Sequence, residues 1–225
     1  MDVGVVTVGD ELLAGETENT NASWLARELL ARGVSVARIV VVPDEEDAIA
    51  TTVRDLSRRY DAVIVTGGVG PTHDDVTMDA VATAFDREMA EHPDAVEWFE
   101  SETQYARSDL VEGTSHLPSG ARMIPNPDGV APGAVVENVY VLPGVPTEMK
   151  GMFGEVAAEF SGTTLATEVV YSEEPESSMV DVLRRVTEEF GVRVGSYPNG
   201  EVRIKIQGSD PDEVAAAAEW LRERV

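Results

Sequence analysis

Apolar residues fall into short β-branched runs separated by stretches with helical spacing. Val3 to Val8 is the first run and reads as a buried strand. A loop, GDELLAGETENT, follows, and Asn19 or Asn21 is placed to cap a helix carrying Trp24, Leu25, Leu29 and Leu30 that stops at Gly33. Val36 to Val42 is a second buried strand, ended by Pro43. Asp44 then reads as the N-cap of a helix with Ile49, Val53 and Leu56 on one face. Ala62 to Thr66 is a third strand that runs into GGVGPTHDD, and a helix follows from about Met78 to Phe85. This alternation predicts an α/β fold: a mostly parallel sheet covered on both faces, a three-layer sandwich.

The middle of the chain is less regular. His92 to Arg107 has helical spacing, and Pro118 to Pro132, rich in Pro, Gly and Asn, reads as loop. Ala134 to Val136 and Val139 to Leu142, with Glu137 and Asn138 between them, predict a hairpin. LPGVP then leads into a helix near Thr147 to Phe160. Gly162 marks a boundary between a domain over 1–161 and a second over 162–225. The second reads as strand (Leu165 to Tyr171), helix (Ser177 to Phe190), two strands (Val192 to Tyr197, Val202 to Ile206) turned at Pro198-Asn199-Gly200, and helix (Pro211 to Val225), a small α+β unit.

Composition narrows the setting. At 225 residues the chain is long enough for a substantial core. No apolar run approaches the roughly 20 residues of a membrane span. The start lacks a basic segment before its apolar run, so no signal peptide is expected and the cytoplasm is the expected compartment. Cys is absent, which removes disulfides, thiolate metal sites and a Cys nucleophile. Charge alters the picture more. Asp and Glu total 42 against 17 Lys plus Arg, a formal net charge of −25. Such a surface repels phosphate backbones, so nucleic acid is not an expected partner, and no membrane partner is expected either. Self-repulsion destabilises the compact state in dilute salt, whereas at molar salt the Debye length is only about 3 Å. The charge therefore predicts a halophilic protein from a high-salt cytoplasm.

In open parallel sheets, ligands bind beyond the carboxyl ends of the strands. Gly9, Asp10 and Glu11 stand there after the first strand, Asp44 and Glu45 after the second, and Thr66 through Asp75 after the third. A glycine loop ringed by carboxylates suits a phosphate bridged by a hard cation such as Mg²⁺. Plainer readings stand beside this one. The loop has neither Walker nor dinucleotide spacing, so Gly67, Gly68 and Gly70 also suit a tight strand-to-helix turn. Asp75 or Thr77 also suits a cap for the next helix. Leu142 to Pro146 sets either a helix N-terminus against an anion or a rigid turn. His73, among the glycines and acids, is a candidate phosphate contact, while His92 and His116 are expected at the surface. Trp24, Trp98 and Trp220 are expected in cores or between subunits. The acidic runs Asp44 to Asp47 and Glu173 to Glu176 read as solvated faces.

Taken together, the motifs resemble a known family. Val8-Gly9-Asp10-Glu11-Leu12-Leu13-x-Gly15, then Asn19-Thr20-Asn21-Ala22-x-Trp24-Leu25, is similar to the opening of competence/damage-inducible protein A (CinA) proteins. Thr66 to Thr77, TGGVGPTHDDVT, resembles the signature loop shared with molybdenum-cofactor biosynthesis proteins of the MoaB/Mog type. Asn126 to Gly133 and Leu142 to Met149 complete the set, in the family's order over about residues 1–160. Gly195-Ser196-Tyr197-Pro198 resembles part of the family's small middle domain.

The resemblance implies a molybdopterin-binding-domain-like fold and a divalent-metal-dependent ADP-ribose pyrophosphatase activity. On that basis Asp44 and Asp75 are the expected catalytic residues, and Asp10, Glu11, Asp74 and Asp75 the expected metal ligands. Gly9, Asn19, Asn21, Thr66, Gly67, Gly68, Gly70, Pro71, Thr72, Pro143 and Gly144 are the expected ligand-binding residues. The expected cofactor is Mg²⁺ or a similar divalent metal. The expected partner is a phosphorylated small molecule, an ADP-ribose-like nucleotide or molybdopterin, and a homo-oligomer is expected because relatives commonly self-associate. A non-catalytic molybdopterin-binding protein and an interaction module with a vestigial pocket are the alternatives. One departure bears on substrate preference: the family's Asn-x-x-Lys-Gln-Ala segment is replaced here by Glu112 to Pro118, EGTSHLP. Since the sequence ends at Val225, the amidase domain of full-length CinA proteins, and with it deamidation, is not expected.

Overall fold

The computed structural model describes residues 1–70, 72, 74–102 and 113–225, and divides the chain into two units, Met1–Gly162 and Thr163–Val225. Pro71, His73 and the last part of the helix expected to reach Arg107 lie outside the described residues.

The first unit is built on a six-stranded sheet. Its strands are β1 (Asp2–Val8), β2 (Ser35–Val42), β3 (Ala62–Thr66), β6 (Arg122–Ile124), β7 (Gly133–Val136) and β8 (Val139–Leu142), in the order β2-β1-β3-β8-β7-β6. β1 runs parallel to β2 and β3, and β3 parallel to β8; β7 is antiparallel to both its neighbours. A separate two-stranded sheet pairs β4 (Met89–Glu91) with β5 (His116–Pro118).

Side-chain alternation on β1 feeds two cores. Val3 and Val5 join Leu25 and Leu29 of α2 (Thr20–Ala31) and Met149, Met152 and Phe153 of α6 (Pro146–Val156) on one face. Val6 and Val8 join Ile49 and Val53 of α3 (Glu46–Ser57) and Val81 of α4 (Thr77–Ala84) on the other. Burial on both faces is why β1 and β3 read as continuous apolar runs rather than alternating ones. The three-layer α/β expectation therefore holds. Phe153 is 1% exposed and meets Trp24 edge-on at 5.6 Å and Phe160 at 5.6 Å. Phe153→Ala is expected to cost about 3–5 kcal/mol, read as a lower denaturant midpoint at unchanged slope.

Several local expectations are corrected. β2 is an edge strand, not a buried one: Val42 is its buried residue and Ile39 is 46% exposed. The segment after β1 is not all loop, because Asp10–Leu13 form a short helix, α1, with its two acids in the first turn. The Pro118–Pro132 loop contains β6. Asp44 does not cap α3; Glu45 holds that position without a side-chain cap bond. Trp98 is half-buried, with its ring centroid 5.0 Å from that of Phe99 in α5 (Pro93–Glu102). His92, expected at the surface, is half-buried, with its Nε2 3.0 Å from the Ala121 carbonyl oxygen. Among the described residues, no helix is long and apolar enough to cross a membrane.

The second unit has an antiparallel sheet in the order β10 (Arg193–Asn199), β11 (Glu201–Gly208), β9 (Ala166–Ser172). α7 (Glu176–Phe190) and α8 (Pro211–Arg222) supply Met179, Val186, Val214 and Leu221 to a core with Val170, Ile204 and Ile206. The β10–β11 hairpin turns at Gly200, whose φ of +81° suits glycine.

Candidate functional site

Parallel pairing of β1, β2, β3 and β8 brings their carboxyl ends to one edge of the sheet, so Gly9 to Glu11, Asp44, the 66–75 loop and Pro143-Gly144 share that edge. The glycine loop is fixed there by backbone. Gly67 has φ +104°, and its amide donates to the Leu142 carbonyl at 3.2 Å; a Cβ at this position would overlap the Val8 carbonyl oxygen. Thr77 ties the loop from the helix side. Its hydroxyl donates to the Gly67 carbonyl at 2.8 Å, and its amide to the Gly68 carbonyl at 2.9 Å. Thr66 and Gly67 are thereby buried behind the loop rather than presented by it.

The plain capping readings of the acids fail. Val76 holds the N-cap position of α4 without a side-chain cap bond, while Asp75 folds back on the loop. Its carboxylate accepts from the Thr72 amide at 2.9 Å and from the Thr72 hydroxyl. Asp44 reaches across the edge instead of capping α3, accepting from the Asp10 amide at 2.8 Å. The short α1 turn is what brings that amide into range. Burial pushes the Asp44 carboxyl above the ordinary carboxylate range; the Asp10 amide opposes the shift, and the carboxylates of Asp10, Glu11 and Asp74 add to it. Asp44 thus carries negative charge at an energetic disadvantage.

The two asparagines are structural ties. Asn19 caps α2, accepting from the Ala22 amide at 3.1 Å, and donates to the Thr7 hydroxyl at 2.9 Å. Asn21 donates to the Thr66 hydroxyl at 3.1 Å and to the Gly144 carbonyl at 2.7 Å, joining α2, β3 and the LPG turn. Its Oδ1 is buried without a hydrogen-bond partner.

A cavity of about 970 Å³ opens beside the loop, of ligand-binding size. Gly68, Gly70, Thr72, Asp75, Pro143 and Gly144 line it, whereas Gly9, Asp10, Glu11, Asn19, Asn21, Asp44 and Asp74 do not. The expected site residues therefore separate into cavity wall, carboxylate group and structural ties, with the 66–75 loop contributing to each. Among the described residues, no set of three or more His, Asp or Glu is grouped closely enough to hold a metal ion by itself.

The far wall lies in the motif segments Asn126 to Gly133 and Leu142 to Met149, though its residues were not among the expected ligand-binding ones. Residues 128–132 and Glu148 of α6 form it, and His116, expected at the surface, lines the cavity as well. Behind this wall lies Asn126, 1% exposed, whose Nδ2 donates to the Ala131 carbonyl at 2.9 Å and to Glu148 Oε2 at 2.7 Å. The signal for Asn126 was its place at the start of the Asn126–Gly133 motif, which marks the segment but not which of its residues is buried.

Residues 4–161 match the family model described as a probable molybdopterin binding domain, and residues 164–225 match the FAD synthase middle domain. The first unit is also similar to a crystal structure described as the protein CinA with unknown function, from Thermoplasma acidophilum. That likeness has 34% identity and a TM-score of 0.65, covering 71% of this chain and 97% of that one. The chain belongs to the CinA family. Relatives match along nearly the whole sequence. A protein of Archaeoglobus fulgidus is 37% identical, over 99% of this chain and 97% of its own length. One of Pyrococcus furiosus is 35% identical, over 98% and 95%. A CinA-like protein of Prochlorococcus marinus is 34% identical, and the match covers 95% of this chain but 54% of that protein. The CinA opening and the MoaB/Mog-type loop both lie within the residues matched as a molybdopterin binding domain.

Proposed function

We propose that this chain binds a phosphorylated pterin- or nucleotide-type ligand at the sheet edge and, with a divalent cation, hydrolyses a pyrophosphate bond in it, ADP-ribose being the substrate to test. The observation that carries this reading is the juxtaposition of the glycine loop and its cavity with Asp44, a carboxylate crowded by other carboxylates. A cation beside Asp44 would relieve that crowding. Mg²⁺ suits such a site because it is commonly held by one or two carboxylates together with the substrate's own phosphates. Asp10 and Asp44, joined by the 2.8 Å amide bond, are the residues that would hold it, with Glu11 and Asp74 adding negative potential. When bound, the metal supplies charge neutralisation at the phosphates and acidifies water.

The chain's own groups supply the rest. Gly68 and Gly70 leave the loop backbone open to close approach by phosphate oxygens. Thr72 holds the Asp75 carboxylate at the cavity wall, where it is placed to accept a proton from the attacking water. A second reading, pterin binding without turnover, is favoured by the match to a probable molybdopterin binding domain.

The test is AMP release from ADP-ribose with Mg²⁺ or Mn²⁺ in molar KCl. Release abolished by a chelator, and lowered at least about 100-fold in Asp75→Asn, is the expected result. Saturable binding of ligand with no release from the folded protein selects the second reading.

A further inference from the structure

The sheet of the second unit packs α7 and α8 on one face, and its opposite face has a composition unlike the rest of the chain. Val202, Ile204 and Ile206 of β11 turn into the core, so Arg203 and Lys205 between them turn the other way. Arg203 stands between Tyr197 of β10 and Tyr171 of β9 in one cross-strand row, and the two tyrosines are 48% and 57% exposed. Tyr197 lies across Gly195: a Cβ at that glycine would come within 2.9 Å of the Tyr197 hydroxyl and 3.2 Å of its ring. The Arg203 Cζ is 4.7 Å from the same ring's centroid. Gly195 thus leaves room for an aromatic ring to lie along the sheet. Arg193, two rows from Arg203, is on this face as well. Among the described residues, none of Arg193, Arg203 and Lys205 is ion-paired, and Glu201 is the one carboxylate that the register sets on their side. In a chain with 42 acids against 17 Lys plus Arg, that balance is inverted.

We infer that this face binds single-stranded RNA, with bases stacked on Tyr171 and Tyr197 and phosphates against Arg203, Lys205 and Arg193. Every base has a π-face, and exposed rings among cations are how a sheet holds an unpaired strand. A duplex keeps its base faces inside its own stack and cannot use the rings. An acidic peptide would satisfy the cations but brings no planar group for the tyrosines. Thr167 and Gln207, paired in the row beside Lys205 with Gln207 Nε2 3.0 Å from Thr167 Oγ1, offer a hydroxyl and a carboxamide to a 2′-hydroxyl, which selects RNA over DNA. The chain's average charge argues against a polyanion, but at molar salt that field is screened beyond about 3 Å. A strand laid on this sheet meets the local cations instead, and stacking, which releases no counterions, persists as salt rises. The inference concerns the second unit alone and does not rest on the proposed phosphate site.

The experiment is fluorescence anisotropy of labelled oligo(U) titrated with the full chain in about 1 M and about 2 M KCl, with oligo(dU), duplex RNA and polyglutamate as competitors. Saturable binding of oligo(U) is expected at both salts, and Tyr171→Ala and Tyr197→Ala should each weaken it about 10-fold or more. Tyr197→Phe, which keeps the ring, should bind as wild type does. Arg203→Gln should lower the salt slope by about one. If an alanine variant fails to fold, the matching Tyr→Leu variant keeps an apolar side chain on the strand and carries the same expectation. Absence of saturable oligo(U) binding, or binding that neither tyrosine variant weakens, overturns the inference. So does competition by oligo(dU) or duplex RNA as strong as that of unlabelled oligo(U). Tighter binding of polyglutamate than of oligo(U) overturns it in favour of an acidic protein partner.

Discussion

Asp44→Asn is expected to raise the stability of the ligand-free protein while lowering metal-dependent hydrolysis of ADP-ribose by about 100-fold or more. The opposite signs have one cause. Burial and the nearby carboxylates of Asp10, Glu11 and Asp74 raise the folded-state pKa of Asp44 above its unfolded value. A carboxyl raised in this way contributes stability that is fully present below its unfolded pKa and is lost as pH rises through the folded pKa. At neutral pH the ionised group is therefore a net cost to the folded protein. Asparagine keeps an oxygen to accept from the Asp10 amide and discards the charge. The side chain is only half-buried, so solvent limits the gain to about 1 kcal/mol or less. Thermal unfolding without metal should show it at pH 7 and show it vanish in acid, where wild-type Asp44 is neutral in both states. With Mg²⁺ and ADP-ribose added, wild type should gain stability and the variant should not. A variant that unfolds earlier at pH 7 and still hydrolyses would remove Asp44 from the site.

Salt is expected to have the broadest effect. With 42 acidic residues against 17 Lys plus Arg, repulsion acts over the whole surface, and a Debye length near 10 Å at 0.1 M leaves much of it unscreened. The described ion pairs do little to offset this, since exposed pairs such as Arg184–Asp181 and Arg222–Glu219 contribute about 0–1 kcal/mol each. Raising KCl from about 0.1 to about 2 M is expected to raise the melting temperature by on the order of 10 °C, the equivalent of several kcal/mol for a chain of this size. Loss of folded signal as salt rises would refute the halophilic reading of the charge.

Elements packed on both faces were the ones the sequence made legible. Val3 to Val8 and Ala62 to Thr66 are apolar at nearly every position because helices cover each side of them. β2 carries the same β-branched signature with only Val42 buried, since a strand's propensity does not reveal whether it lies at an edge. The three-residue strands β4, β5 and β6 are too short for any period to register. Among the site residues, the glycines and acids at the strand ends could be located from topology alone. The roles of Asn19 and Asn21 could not, because the Thr7 and Thr66 hydroxyls that claim their amides come from other elements. The Glu148 wall was still less accessible: Asn126 and Glu148 are 22 residues apart and meet only after α6 has docked.

The weld at Gly67 has a kinetic and thermodynamic reading as well. Its amide is held by Leu142 of β8, its Cα leaves no room for a side chain beneath Val8 of β1, and Thr77 of α4 grips it from above. Three separate parts of the fold meet at Gly67, so the turn at Gly67 and Gly68 has its shape before any ligand arrives. Affinity at that turn need not be reduced by ordering its backbone, and association need not wait for it.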